Sequence, residues 1–279
     1  MKRKVIFTIL CCVCAALPIA AQTAAPEAMA LIPAGKFWMG RSFYIVLNSI
    51  DVMARDRMDD IPANNIYLDA FYIDKYEVTN ADYGRFLAAT AGKPPWHWPQ
   101  GKIPNGEERV PIYNVNWFEA TEYCKWVGKR LPTEAEWEKA ARGGLDRNRY
   151  SWGDDDVDTS EVRRLPPQSS ARISGELPAA VDREGATTVG SFPPNGYGLY
   201  DMIGNVMEWT NDWYYDNYYP FMPKQNPRGP ETGLYRSVRG APWSEGGGEG
   251  AAYTVYYRNF TDPEIRTSTV GFRCAKDPG

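Results

Sequence analysis

A single mixed domain of short helices and short strands, with much of the chain in loops, is the fold class that the sequence predicts. Three observations lead there. The 279 residues are 43% hydrophobic and 24% charged, the balance of an ordinary globular protein. Glycine (25) and proline (22) force frequent turns, while an aromatic content of 14% supplies large flat side chains for the core. Periodic stretches are brief, and no internal repeat or linker divides the chain, so one domain is expected over residues 28–277. The formal charge of −4 and the lack of a basic run exclude nucleic acid as a partner class. A single histidine, His97, excludes any site built from several histidines of one chain.

The elements follow in order. Leu31 to Gly40 reads as two short apolar pieces around a turn, and Ile66–Ile73 alternates with period two, which predicts one strand. Three helices are announced by their ends. Thr79 or Asn80 caps the first, which stops at Gly92; Asn116 with Glu119 opens the second, which runs to Gly128; Thr133 with Glu136 opens the third, which ends at Gly143-Gly144. Residues 145–190 are polar and without helical period, so irregular structure is expected there. Short strands are expected at Tyr253–Arg258 and Gly271–Ala275. The third helix carries Glu134, Glu136, Glu138, Lys139 and Arg142, read as a solvated helix end without chemistry. The aromatic loop Pro94-Pro95-Trp96-His97-Trp98-Pro99 is either a surface-packed loop or one wall of a ligand groove.

Lys2, Arg3 and Lys4 precede an apolar run from Val5 to Ala16, and Ile19-Ala20-Ala21 sets small residues before Gln22. This is the pattern of a secretory signal peptide over residues 1–21, followed by a flexible lead at 22–27. The run is too short for a membrane span, and no later stretch approaches the ~20 apolar residues one needs, so no transmembrane segment is expected in the mature chain. None of Cys11, Cys12 and Cys14 follows the small-residue pattern of lipid attachment. The expected location is the periplasm or the extracellular space. Cleavage removes three cations and no acid, taking the formal charge from −4 to −7. It also removes three of five cysteines. Cys124 and Cys274 remain, and an exported pair is expected to oxidise, the alternative being two separate buried thiols.

Several sequence words, in order along nearly the whole mature chain, resemble the formylglycine-generating enzyme, or sulfatase-modifying factor, family. They are Ile32-Pro33-Ala34-Gly35, Tyr76-Glu77-Val78-Thr79-Asn80, Gly128-Lys129-Arg130-Leu131-Pro132-Thr133-Glu134-Ala135-Glu136-Trp137-Glu138, Asn195-Gly196-Tyr197-Gly198-Leu199-Tyr200-Asp201-Met202, Gly204-Asn205-Val206-Met207-Glu208-Trp209 and Gly271-Phe272-Arg273-Cys274. The resemblance implies the family's α+β fold, C-type-lectin-like and low in regular secondary structure. It implies a Cys124–Cys274 disulfide. It implies a structural calcium held by the side chains of Asp201 and Glu208 and the carbonyls of Gly204 and Val206, a donor set suited to a hard cation. The family's second calcium pattern is not recognisable within residues 155–190.

Enzymes of the family oxidise a cysteine within a sulfatase-type Cys-x-Pro-x-Arg sequence to formylglycine, using oxygen and a copper(I) ion held by two thiolates, the soft ligands that copper(I) selects. Counting back from Cys274 without gaps puts Glu245 and Gly250 where those thiolates belong. Copper is therefore not expected, nor is formylglycine-generating activity. The expected function is that of an exported protein binding a peptide, a protein or a small extracytoplasmic ligand in the family groove, lined by Trp243, Tyr253, Tyr256, Arg258 and Arg273. Two other readings stand beside it: a divergent oxidoreductase or peptide-modifying enzyme with Glu245 as catalytic base, and a structural component of an envelope assembly.

Overall fold

Each of the three helices is nucleated by a reciprocal cap, which is why their starts are local features of the sequence. The structure, a computed structural model, describes residues 28–42, 58–153, 185–242 and 253–279. In it α1 (Asn80–Thr90) begins at Thr79, whose side chain accepts from the Asp82 amide while Asp82 reaches back. Asn116 and Glu119 do the same for α2 (Trp117–Trp126), and Thr133 and Glu136 for α3 (Glu134–Ala141). Each pair satisfies two amide donors that a helix start leaves open.

The strands form three small sheets. β1 (Met29–Ile32), β4 (Phe71–Asp74) and β9 (Ala275–Lys276) make one, and β2 (Gly35–Met39) pairs with β3 (Asn64–Leu68) in a second. The third is ordered β7 (Arg258–Thr261), β6 (Arg236–Arg239), β5 (Met207–Trp213), β8 (Val270–Gly271), with β5 and β8 parallel. α3 packs against β2, β5 and β6. Among the described residues the two larger apolar clusters gather Ile32, Ile66, Phe71, Ile73, Trp137 and Tyr219 in one, and Tyr83, Tyr123, Cys124, Trp209, Phe272 and Cys274 in the other. Gly271 is required where it stands, because a Cβ there would come within 2.3 Å of the Ile112 carbonyl oxygen. Among the described residues no helix is long and apolar enough to cross a membrane.

Three expectations are corrected. The strand expected over Ile66–Ile73 is two strands in different sheets. Ile66, Leu68, Phe71 and Ile73 are all buried, so the inward phase slips at Asp69-Ala70, where Asp69 and Asn226 exchange hydrogen bonds of 2.9 and 2.8 Å. Tyr253–Arg258 is not a strand: Tyr253, Thr254, Val255 and Tyr256 are buried in succession, which alternation forbids, and β7 starts only at Arg258. Gly271–Ala275 is divided between β8 and β9, because Phe272, Arg273 and Cys274 all turn inward. Residues 145–153 and 185–190 carry no helix or strand longer than an isolated bridge, as expected. The signal peptide, the lead, Trp243 and Glu245 lie outside the described residues.

Candidate functional site

The loop from Tyr200 to Val206 enters β5 through a backbone that few residues tolerate. Asp201, Gly204 and Asn205 have φ of 56°, 99° and 60°. Glu77, which precedes α1, holds this loop from below, accepting from Asn205 Nδ2 at 2.6 Å and from the Val206 amide at 3.2 Å. Asp201 is 7% exposed; its Oδ2 accepts from the Gly190 amide at 2.7 Å, and its Oδ1 is buried without a hydrogen-bond partner. Glu208 lies one strand position inside β5, and its carboxylate is taken up by Arg273, with Nε at 2.9 and 2.8 Å and Nη2 at 2.7 Å, and by Trp137 Nε1 at 2.8 Å. Glu208 is thus not a free carboxylate.

Three buried acids consequently face one buried guanidinium. Burial, with Asp201 and Glu208 adding repulsion, pushes Glu77 well above the usual carboxylate range. Burial raises Asp201 to about 6, against the pull of the Gly190 amide and Arg273. No three Asp, Glu, His or Cys side chains among the described residues converge as a metal-binding group. Any cation held here needs backbone carbonyls as well.

The residues that flank the segment 243–252 belong to a second buried network. Arg239, at the end of β6, bonds Glu134 Oε1 and Glu138 Oε2, each at 2.7 Å, and the Val255 carbonyl at 2.6 Å. Arg258, at the start of β7, bonds Glu134 at 2.6 and 3.1 Å and the Asp59 carbonyl at 2.7 Å. Arg142 completes the set on Glu138 at 2.7 Å, where the Gly40 amide also donates at 2.7 Å. Burial opposes the charge on Glu134, but Arg258 and Arg239 outweigh it and hold the carboxyl at about 2. The expected solvated acidic helix end is therefore wrong for Glu134, Glu138, Lys139 and Arg142, which are all at most 5% exposed. Trp137 lies between the two networks, donating to Glu208 while Arg239 stacks over its ring at 5.3 Å.

These bonds also bear on the residues expected to line the groove. Arg258 and Arg273 are 2% and 0% exposed and fully engaged by Glu134 and Glu208, while Tyr253 and Tyr256 are buried in the first apolar cluster. The Cys124 and Cys274 sulfurs are joined, with a Cα–Cα distance of 5.7 Å, and both residues are fully buried.

A family model described as the sulfatase-modifying factor enzyme 1-like domain matches residues 15–278. The chain belongs to this family. It is 33% identical over 304 residues to the formylglycine-generating enzyme of Streptomyces coelicolor, covering 92% of each chain. It is 31% identical over 300 residues to a mouse protein named inactive C-alpha-formylglycine-generating enzyme 2, covering 90% of this chain and 86% of that one. Among solved structures, PvdO from Pseudomonas aeruginosa superposes with a TM-score of 0.69 at 26% identity, covering 90% and 94% of the two chains. The sulfatase-modifying-factor fold, α+β and low in regular structure, is what the structure has.

Sequence reading missed Glu77, whose only signal was its place in the Tyr-Glu-Val-Thr-Asn word. His97 stacks on Tyr113 at 4.1 Å and accepts from Asn114 Nδ2 at 3.2 Å. Burial lowers its pKa to about 4, so between pH 6.5 and 4 the unfolded chain binds the proton and the folded chain does not. Its contribution to stability is therefore complete above pH 6.5 and is lost as the pH falls towards 4. As the chain's one imidazole, it gives a single set of ring resonances; these are expected to titrate near pH 4, and a midpoint at or above 6.5 would contradict the burial.

Proposed function

We propose that this is an exported member of the family in which the fold serves ligand binding and copper-dependent oxidation has been given up. The observation that carries this reading is the cysteine inventory. Of five cysteines, three lie in the leader at positions 11, 12 and 14, and the other two are sealed in the Cys124–Cys274 bridge. Copper(I) needs a soft thiolate pair. The donor set of the mature chain does not fit that ion, and a gapless count back from Cys274 puts Glu245 and Gly250 at the positions of the family's copper cysteines. The mouse relative bearing the name inactive shows that the family already includes a member so described. The signal-peptide pattern supports export to the periplasm or beyond, where the bridge is stable. A competition titration tests the reading: mature protein is expected to withdraw no copper(I) from a coloured bicinchoninate complex, and stoichiometric withdrawal would overturn it.

The acid loop fits a structural calcium. Asp201 Oδ1 is a buried acceptor without a donor, and three acids to one arginine leave a local excess of negative charge that a divalent cation offsets. Asp201 and the carbonyls of Gly204 and Val206 would hold the ion, with Glu208 fixed nearby by Arg273 as a source of field. Bound calcium would supply charge neutralisation and lock the loop. A ligand bound only by the native state adds about 2.7 kcal/mol at a hundredfold excess over its Kd. Calcium is accordingly expected to raise the melting temperature of chelator-treated protein by several degrees, and Asp201→Ala to abolish the rise. An unchanged melting temperature at saturating calcium would leave the loop purely structural.

A further inference from the structure

We propose that the cleft between α1 and α2 is a binding site for a small aromatic carboxylate. The cleft has a volume of about 500 Å³, the size of a small-molecule site, and stands apart from both charge networks. Its floor is apolar and aromatic: Tyr83 and Phe86 come from one face of α1 and Trp126 from the last turn of α2. Their rings pack at a tilt against one another, with Phe86 5.7 Å from Trp126 and 5.3 Å from Tyr83. Such a floor offers a flat partner both dispersion contact and a ring edge to meet.

Charge at the mouth selects among flat partners. Lys93, just past α1, and Lys125, on α2, line opposite walls, and neither side chain makes an ion pair or hydrogen bond with a described residue. Of the two acids in the lining, Glu119 is held by Arg266, whose Nε donates at 2.9 Å, so its charge is already answered. Among the described residues lining the cleft, Glu122 is the one acid whose side chain has no ion-pair partner, against two such lysines. The Tyr83 hydroxyl also lacks a partner among the described residues, and burial keeps it protonated, so it can donate to an anion entering over the floor. An aromatic body with one carboxylate matches this combination; a cationic amphiphile does not.

Three probes that share a ring and differ in charge test the assignment: indole-3-acetate, indole-3-acetamide and tryptamine, titrated calorimetrically into full mature protein at neutral pH. The acetate is expected to bind tighter than the amide, and the amine weakest, with about tenfold between the extremes. The double variant Lys93→Glu/Lys125→Glu, both positions being exposed, is expected to keep its melting temperature and to lose the preference for the acetate. Tryptamine binding as well as the acetate, an unchanged preference in the double variant, or no binding of any probe to its solubility limit would each overturn the proposal.

Discussion

Replacing Arg239 by Met is expected to cost roughly 3–5 kcal/mol in a urea denaturation, the cost of breaking a buried ion pair by removing one partner. The guanidinium is fully buried, answers Glu134 and Glu138 at once and also satisfies the Val255 carbonyl, so its loss removes one of two arginines from each acid and leaves a buried acceptor without this donor. An exposed pair provides the comparison. Arg85 and Asp82 lie on the outside of α1 with 64% and 32% of their side chains accessible, and Arg85→Met is expected to cost less than about 1 kcal/mol. A loss at position 239 no larger than at position 85 would mean that solvent reaches the network.

Cys274→Ser is the second substitution with a large expected effect. The bridge closes a loop of 150 residues, for which loop entropy in the unfolded chain gives on the order of 4–5 kcal/mol. It ties the last turn of α2 to the residue beside Arg273, and Phe272 packs between them against Tyr123 at 5.4 Å. The variant is expected to lose roughly 2–5 kcal/mol, and reduction of the wild type to lose the same. Two thiols that alkylate freely in native, oxidised protein would show that the bridge does not form.

What could be read from the sequence was what is local. Thr79, Asn116 and Thr133 mark helix starts because a cap acts within four residues. The break at Asp69-Ala70 was not legible, because hydrophobic alternation looks the same on either side of a slip between sheets. Glu134 and Glu138 looked like a solvent face because the two arginines that hold Glu134 are remote: Arg239 lies 105 residues from it, and Arg258 lies 124 residues away. The family words located Glu208 and Arg273 but not their bond, which spans 65 residues. Glu77 went unnoticed for the same reason, since its partners Asn205 and Val206 are 128 and 129 residues on.

The proposal that copper chemistry has been given up is tested most directly by activity. Protein lacking residues 1–21, incubated with a Cys-x-Pro-x-Arg peptide, oxygen, a reductant and copper(I), is expected to return the peptide with its thiol mass unchanged, because its two cysteines, Cys124 and Cys274, are bonded to each other. Conversion of the peptide cysteine to the aldehyde of formylglycine, seen by mass spectrometry and dependent on copper, would contradict it.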